Sequence, residues 1–563
     1  MTGIRGKVLV LFVVPLILYV SLLSFMPLME PDESRYSAIP SAMNKSGDYV
    51  LPRLKEAVYI EKPPLAYWAT ALSFKIFGEN EFSSRLFVGL CAWGCILLVY
   101  SMGRFFHDER TGLYGAAVLT TSLFHFAIGH INILDMPVAL FLSLAIWAGY
   151  RYCAAGERKE WLYLSYLASA LAFLTKGLIG IVFPAAVIVI WLIAIKRWRD
   201  IFKLLSPLGI FIFLVVALPW PLLAQQAHGD FFRFFFIQEH LQRYATTMHH
   251  RNEPVYYYIP ILIAGTLPWC AFLWLALKGK AAIWKGAGFF RKEELLFLLT
   301  WAGFITIFFS LSSSKLIPYI AAVFPPLSLL MGRTFRLYDE KPFDRSAGSR
   351  LRTGSVEGWF SRGQLPVIFQ SLLFIVALAV APFVDKERPV TLWWPWIAVP
   401  VVAQLAMIFL PGYVRRRTGR NWFVTVYIIA ALFLGSLVFP LAHFLSPYKS
   451  ALVLVQAVKK YVPADQVLYQ YDMSLYGVDF YGRMRTPVVD DIGEVRYGSE
   501  FLPPAERAGY FLTSPEFFQL LRSRRETYCA TKGRDRVERL RKEMPQLTVL
   551  WDNQYYYLLK VEN

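Results

Sequence analysis

Apolar runs of about 20 residues recur along most of the chain, with short polar segments between them. Because an α-helix rises about 1.5 Å per residue, such a run crosses the roughly 30 Å hydrocarbon core of a bilayer. Inside hydrocarbon, a single segment satisfies its own backbone hydrogen bonds only as a helix. The pattern predicts a mainly α-helical, polytopic membrane protein with about thirteen spans, near residues 8–28, 86–103, 112–129, 134–150, 161–175, 177–195, 204–224, 256–277, 295–312, 316–332, 365–384, 393–411 and 422–445.

The first apolar run and the basic residues between runs predict the orientation in the membrane. The first run follows Arg5 and Lys7, is long for the apolar part of a signal peptide and lacks a small-x-small exit, so it indicates an uncleaved span. With the N-terminus taken as cytoplasmic, the inner connections hold roughly twice as many Lys and Arg as the outer ones, in line with the positive-inside rule. An odd number of spans then places the C-terminus outside.

The hydrophobic pattern changes after residue 445. Apolar runs shorten, and residues 466–471, 547–552 and 554–561 have the character of strands. Ser514, Pro515 and Glu516 form a helix start, with a cap, an N1 proline and an acid in the first turn. We therefore predict a transmembrane domain over residues 1–445 and a small extracytoplasmic α/β domain over 446–563.

Composition agrees with this interpretation and excludes other classes of protein. Hydrophobic residues make up 56% of the 563 positions and charged residues 17%, which excludes an ordinary soluble globule and a disordered chain. The net charge of +18 comes mainly from short connections without interleaved aromatic residues, so anionic lipid and topology explain it better than nucleic acid does. Five cysteines in scattered positions predict neither a disulfide framework nor a zinc knuckle.

The first outer loop, residues 29–85, is long and carries charged motifs. It opens with EPDESRY at residues 30–36, and continues with YIEKPPLAYW at 59–68 and FGENEFSSRL at 77–86. Long ordered loops in compact proteins are usually functional, although composition alone favours a solvated membrane-edge loop with salt bridges.

Other ionisable residues fall on the same predicted outer side. Asp135 stands at the entrance of a span, where it is either a functional carboxylate or the N-cap of a helix. Lys315 and Tyr319 lie where an apolar run begins, and His240 lies between the seventh and eighth spans. Acids and cations at one membrane surface suit chemistry on a lipid-linked anion, since Lys and Arg bind phosphate and a carboxylate orients or deprotonates an acceptor.

The three loop motifs, together with Asp135, HHRNEP at 249–254, SKLIPY at 314–319 and DDIGEV at 490–495, resemble a known family. They resemble the polyprenyl-phosphate-dependent glycosyltransferases of the GT-C class. More narrowly, they resemble the lipid A 4-amino-4-deoxy-L-arabinose transferases, which are related to the protein O-mannosyltransferases. The resemblance implies a GT-C fold of thirteen spans, juxtamembrane helices in the first loop, and a periplasmic domain that closes over a cavity.

The resemblance also assigns roles to residues. Asp32 and Asp135 match the two acids of the catalytic site. The donor phosphate is expected to bind Lys62, Arg35, Tyr319 and Lys315, and Glu33, Tyr36 and Tyr59 are expected to line the same cavity. Glu61 matches a ligand of a divalent metal, zinc, for which we place the partner at His240, with His249 or His250 as alternatives; no nucleotide cofactor is expected.

The expected function is transfer of 4-amino-4-deoxy-L-arabinose, with inversion, from undecaprenyl phosphate to lipid A at the periplasmic side of a bacterial inner membrane. The expected partners are the lipid-linked sugar, lipid A and membrane lipids, without nucleic acid. Asp32 either orients the acceptor or acts as a base, and these roles stay open. The alternatives are a GT-C transferase of another sugar and a non-catalytic flippase; the latter would place ionisable residues near the bilayer midplane.

Overall fold

The computed structural model describes residues 4–154, 158–242, 253–278, 289–340, 365–380, 383, 394–418 and 422–562. Within them, seven helices are long and apolar enough to cross a membrane: Ile4–Ser21, Glu81–Phe106, Asp135–Ala154, Pro207–Ala227, Lys292–Leu311, Trp396–Arg415 and Trp422–Lys449. Three shorter apolar helices accompany them, at Ile179–Ala194, Val255–Gly265 and Leu365–Val380. Every predicted span overlaps helical residues, which confirms the mainly α-helical class, while the number thirteen stays a prediction.

Several predicted spans consist of two helices rather than one. The run 112–129 divides into Glu109–Thr120 and Leu123–Ile128, and the run 256–277 divides into Tyr258–Gly265 and Trp269–Lys278. In the second case Pro268 stands in the break, where its missing N–H and its ring are incompatible with a helix interior. The remaining helices are Lys159–Lys176, Trp198–Leu204, Arg233–Gln242, Ile317–Val323 and Phe324–Glu340, and the one at Leu365–Val380 is followed by Trp394–Thr418.

The first loop folds into two helices and a hairpin. The helix Asp32–Ser46 has two acids in its first turn, where the helix dipole favours negative charge, and it ends at Gly47, whose φ of 75° suits a residue without Cβ. Strands β1 (Arg53–Leu54) and β2 (Ala57–Val58) pair antiparallel around a two-residue turn. The helix Leu65–Phe77 begins directly after the two prolines of YIEKPPLAYW.

The tail forms a six-stranded mixed sheet, which confirms the predicted α/β character. Its strands are β3 (Leu468–Tyr471), β4 (Val488–Val489), β5 (Phe511–Leu512), β6 (Glu526–Lys532), β7 (Leu547–Asp552) and β8 (Tyr556–Glu562), in the order β5-β4-β3-β6-β8-β7. Strands β3 to β6 pair in parallel, and β8 runs antiparallel to β6 and β7. The tail helices are Leu452–Tyr461, Tyr476–Gly482, Gly493–Val495, Arg496–Ser499, Pro504–Tyr510, Ser514–Ser523 and Arg534–Glu543.

Both faces of this sheet are covered by helices, as expected where parallel strands pair. One apolar cluster joins the sheet to the helix Leu452–Tyr461 through Leu454 and Val458. The other joins it to the helix Ser514–Ser523 through Phe517 and Leu521. The predicted cap of that helix is shifted by one residue, because Thr513, rather than Ser514, exchanges hydrogen bonds with Glu516 in a capping box.

Residues group by mutual contacts into two units. The first comprises Met1–Leu23, Leu86–Ala381 and Trp393–Val438, and the second comprises Ser24–Arg85, Pro382–Leu392 and Phe439–Asn563. The second unit thus joins the first loop to the tail. The division predicted at residue 445 instead assigned that loop to the transmembrane domain, because hydrophobic patterning records burial and carries no information on which distant segments pack together.

Candidate active site

Arg35 is the centre of a charged cluster in the second unit. One turn into the helix Asp32–Ser46, its side chain is only 5% exposed. One guanidinium nitrogen donates to Asp32 Oδ1, and another pairs with Glu494 Oε2. The Asp32 side chain is 56% exposed, so Arg35 holds a solvent-facing carboxylate at the start of the helix.

Two tyrosines form the walls around this guanidinium. The Arg35 Cζ atom lies 5.0 Å from the ring centroid of Tyr36 and 5.8 Å from that of Tyr59. The Tyr59 hydroxyl lies 3.1 Å from Glu494 Oε2 and 3.2 Å from Glu61 Oε2. Burial raises the pKa of Tyr59 well above its ordinary value, although Arg35 opposes the shift, so the phenol keeps its proton and acts as a donor.

Lys62 is connected to Arg35 through the same residues. Its Nζ donates to the Glu61 carbonyl at 3.2 Å and lies 3.6 Å from Glu61 Oε2. Contacts therefore run without interruption from the predicted acid Asp32 to the predicted phosphate ligand Lys62, two residues that are 30 positions apart in sequence. We call this set the Arg35 cluster; it contains Asp32, Arg35, Tyr59, Glu61, Lys62 and Glu494.

Glu33 has a different environment from the cavity position expected for it. Its carboxylate is 2% exposed and accepts from Arg85 Nε at 2.7 Å and Arg85 Nη2 at 2.8 Å. It also accepts from the backbone N–H of Met29. The next residue along a helix points about 100° away from Asp32, which turns Glu33 into the protein interior, and its role is to hold the loop together.

Asp135 belongs to a second charged group, in the first unit. Its side chain is 10% exposed, and its Oδ1 lies 2.5 Å from Lys176 Nζ. The same Nζ lies 4.6 Å from the ring centroid of Tyr319, within range of a cation–π interaction. We call Asp135, Lys176 and Tyr319 the Asp135 group. The carboxylate pairs with Lys176 instead of capping its own helix, so the N-cap interpretation does not describe this residue.

Lys315 is occupied by backbone groups. Its Nζ donates to the carbonyls of Ser312 at 2.7 Å and Glu253 at 2.8 Å, and the residue is buried. The first bond satisfies a carbonyl where the helix Lys292–Leu311 has ended, and the two bonds leave one of three ammonium hydrogens for another acceptor. Lys315 thus shapes the turn before Tyr319, and the cation that contacts Asp135 is Lys176.

Part of the expected metal site lies outside the described residues. The side chain of His240 and all of His249 and His250 lie outside the described residues. In the part of the chain that the structure describes, no three His, Cys, Asp or Glu side chains gather as metal ligands. Glu61 itself contacts the Tyr59 hydroxyl and the Lys62 ammonium, whose positive charge opposes a bound cation.

Two members of these groups were not predicted. Glu494 lies in the DDIGEV motif, more than 400 residues from Arg35 in sequence, and an exposed acid there is ordinary by composition alone. Lys176 counted only as a basic residue in an outer connection, yet a single lysine that ends an apolar helix before Gly177 was a usable signal.

The Arg35 cluster combines two kinds of group. Arg35 and Lys62 are cations able to bind a phosphate and to offset charge on it as it departs, and Asp32 is an exposed carboxylate beside them. The acids Glu61 and Glu494 pair with these cations and fix their positions. Two cations beside an exposed carboxylate are the groups that a transfer reaction with a phosphate leaving group requires.

Sequence comparison agrees with this chemistry. Residues 61–222 match the family described as dolichyl-phosphate-mannose-protein mannosyltransferases. An undecaprenyl phosphate-alpha-4-amino-4-deoxy-L-arabinose arabinosyl transferase of Enterobacter sp. (strain 638) is 31% identical over 415 residues, which cover 72% of this chain and 71% of the relative. The enzyme of the same name from Aeromonas salmonicida is 28% identical over 89% of both chains.

Structural comparison identifies the fold. The crystal structure of ArnT from Cupriavidus metallidurans bound to undecaprenyl phosphate superposes with a TM-score of 0.82 at 24% identity, covering 99% of this chain and 98% of that one. The apo state of the same protein gives a TM-score of 0.80. The architecture is therefore the GT-C membrane fold, and the chain is a multi-pass membrane protein. By sequence and by fold, it belongs to the undecaprenyl phosphate-alpha-4-amino-4-deoxy-L-arabinose arabinosyl transferases, a family of polyprenyl-phosphate-dependent glycosyltransferases.

Proposed function

We propose that this chain transfers 4-amino-4-deoxy-L-arabinose from undecaprenyl phosphate to a phosphate of lipid A. The family and the names of its relatives support the donor. The observation that carries the proposal is the Arg35 cluster, in which a buried guanidinium and an ammonium lie in one contact chain with an exposed carboxylate.

The proposed reaction is an in-line displacement at the anomeric carbon. An acceptor phosphate oxygen forms the new bond to that carbon, and the bond to the polyprenyl phosphate oxygen breaks. The leaving phosphate takes the electron pair, and Arg35 and Lys62 offset its growing charge. Since an ionised acceptor phosphate needs no base, Asp32 orients the acceptor and positions Arg35 through the bond between them.

The Asp135 group has a related role within its own unit. Lys176 carries a positive charge between the Asp135 carboxylate and the Tyr319 ring. We assign to it a contact with an anionic group of a substrate, with Asp135 and Tyr319 fixing the position of the ammonium group. Lys176 thus takes the part that the resemblance implied for Lys315.

The test of the proposal is the substitution Asp32→Asn in purified protein. With the lipid-linked aminosugar and lipid A in detergent, transfer by the variant should fall at least a hundredfold, because Asn cannot hold the Arg35 guanidinium by charge. Asp465→Asn is the matched control, since Asp465 is an exposed acid outside both groups, and its rate should equal that of the unmodified chain. Unchanged turnover in D32N contradicts the mechanism.

The identity of the substrates is tested in cells. Expression in a polymyxin-sensitive host that makes the donor should add the mass of the aminosugar to its lipid A. Transfer of mannose from polyprenyl phosphate to protein would instead support the mannosyltransferase alternative that the match at residues 61–222 suggests. Transfer in detergent, where no bilayer separates the substrates, would exclude a flippase.

The same proposal places both charged groups at the periplasmic side of the inner membrane, with a cytoplasmic N-terminus. Fusion of a periplasm-dependent reporter enzyme after residue 562 should give activity, and fusion after Arg5 should give none.

A requirement for zinc stays a prediction: a metal analysis of the purified protein should find zinc at close to one atom per chain, which Glu61→Gln should remove.

A further inference from the structure

The tail sheet has a point at which its strand order reverses. From β3 the chain passes to β4 and then β5 on one side, and then returns to place β6 on the other side of β3. In open sheets of parallel strands, the connections leave such a point in opposite directions and open a crevice at the carboxyl ends of the strands, where ligands bind.

A cavity of about 330 Å³ occupies this place. Its lining includes Tyr476 after β3, Asp491 after β4 and Lys532 at the end of β6, so three parallel strands contribute residues that follow their carboxyl ends. The volume lies at the lower end of the range for small-molecule sites and is sufficient for a sugar with one phosphate. Arg35 and Glu494 also line it, which makes the cavity continuous with the Arg35 cluster.

The charges in the cavity favour an anion. Lys449 and Lys532 line it, and in the part of the chain that the structure describes neither ammonium group has an ion pair or a side-chain hydrogen bond. Among the described lining residues, Asp491 is the carboxylate left to balance them, because Glu494 pairs with Arg35. Burial raises the pKa of Glu30, the remaining acid of the lining, to about 8, so at neutral pH this group is mostly uncharged.

The walls suit a sugar. Tyr448, Tyr476 and Tyr555 line the cavity, and a tyrosine side chain combines a ring that packs on the apolar side of a pyranose with a hydroxyl for its polar edge. Burial raises the pKa of Tyr476 to about 12, so its hydroxyl stays a hydrogen-bond donor. Two ammonium groups would repel the amine of the aminosugar donor, whereas they attract the phosphate of a sugar that carries no free amine.

We propose that the cavity at the strand-order reversal of the tail sheet binds the phosphate-bearing sugar headgroup of the acceptor, with Lys449 and Lys532 at its phosphate. This assignment rests on the proposed function and deepens it, because it locates acceptor recognition in the tail domain. Arg35 then lies at the boundary between the acceptor cavity and the cluster that holds the donor phosphate.

The test measures binding to the full-length chain in lipid nanodiscs by calorimetry. The probe is a glucosamine disaccharide that carries its phosphates and whose amines are acetylated. The double variant Lys449→Gln/Lys532→Gln should bind it at least tenfold more weakly, and Lys449→Arg/Lys532→Arg should restore binding. Lys542→Gln, an exposed lysine on the helix Arg534–Glu543, is the matched control and should stay within twofold of the unmodified chain. Thermal unfolding midpoints should be equal in all four proteins.

Two further ligands identify what the cavity recognises. The unphosphorylated disaccharide and inorganic phosphate alone should each bind at least tenfold more weakly than the phosphorylated disaccharide. Equal binding by inorganic phosphate would overturn the assignment to a sugar headgroup, and equal binding by the unphosphorylated disaccharide would overturn the role of the lysines.

Kinetics separate this inference from the proposed function. In the transfer assay, the double lysine variant should raise the KM for the acceptor at least tenfold and leave the KM for the donor within twofold. Normal acceptor KM in an active double variant would overturn the inference alone. Intact, lysine-dependent binding of the phosphorylated disaccharide by a chain that transfers no aminosugar would overturn the proposed function and leave the inference standing.

Discussion

At the scale of single residues, the two charged groups are built on different kinds of pairing. Arg35 is shared between two carboxylates, of which Asp32 is exposed, so a ligand can replace part of its coordination without leaving an unpaired buried charge. Asp135 and Lys176 are each less than one-fifth exposed and form one close pair. Removing one partner of such a pair leaves the other as an unpaired buried charge, so the two residues act as a unit.

We predict that Asp135→Asn and Lys176→Met each lower kcat/KM for the donor by at least tenfold, and that the double variant is no worse than either single variant. The physical reason is that each substitution already breaks the 2.5 Å contact and displaces the remaining partner. Steady-state kinetics on the three purified variants measures this. Losses that multiply in the double variant would show that the two residues act independently.

Glu30 should make stability depend on pH. Burial raises its pKa from the ordinary 4.5 to about 8, so between these pH values the folded chain holds a proton that the unfolded chain has released. Stability from this group is therefore lost as the pH rises through that window.

The temperature midpoint of unfolding should decrease as the pH is raised from 5.5 to 8 in the unmodified chain. The decrease should be smaller in Glu30→Gln. Glu500→Gln, a change at an exposed acid in the same unit, should keep the pH dependence of the unmodified chain. Identical pH profiles for the unmodified chain and E30Q would contradict the assignment.

At the scale of elements, the loop hairpin and a short tail helix approach each other at backbone distance. A Cβ on Gly498, in the helix Arg496–Ser499, would lie 1.9 Å from the carbonyl oxygen of Val58 in β2. No side-chain rotation relieves such a contact, so the absence of a side chain at Gly498 is what allows the helix to lie on the hairpin.

Gly498→Ala should therefore lower the unfolding midpoint by several degrees, in keeping with the roughly 1–3 kcal/mol cost of overpacking. Gly303→Ala is the control, because a Cβ there meets no heavy atom within 4 Å and alanine favours the helix Lys292–Leu311. Differential scanning fluorimetry of both proteins decides the matter; equal midpoints would mean that the hairpin moves away at little cost.

At the scale of the whole molecule, the first loop and the tail fold as one unit although about 350 residues separate them. Lys55, from the turn of the loop hairpin, has a side chain only 2% exposed. Its Nζ lies 2.5 Å from Asp479 Oδ2 and donates to the carbonyl of Thr486 at 3.0 Å. One buried cation thus ties the hairpin to the tail.

Lys55→Met should destabilise both the loop hairpin and the tail segment that Lys55 contacts, since breaking a buried ion pair costs about 3–5 kcal/mol. Hydrogen exchange should quicken in peptides from the hairpin and from residues 476–489 together, and Lys45→Met, at an exposed lysine of the same loop, should leave both unchanged. Faster exchange in the hairpin alone would show that the tail does not depend on this contact.

Periodicity and motif chemistry predicted particular elements well. Strand β7 has the predicted bounds, and β3 and β8 differ from theirs by two residues or fewer at each end. The resemblance assigned Asp32, Arg35 and Tyr36 to one site, and the structure places Arg35 in contact with both of the other residues. Glu33, in the same motif, was assigned to the cavity wrongly, since only the position of Arg85 shows which way that carboxylate points.

The sequence by itself determined that this protein lies in a membrane, where most of its helices lie, and which of its residues can bind phosphate. Each of these follows from local composition and spacing. Only the tertiary structure decided that Glu494 holds Arg35, that Lys176 rather than Lys315 meets Asp135, and that the tail strands reverse their order beside Lys532. These are contacts between residues that are distant along the chain. Packing and electrostatics in three dimensions select such contacts, and a local pattern of side chains does not encode them.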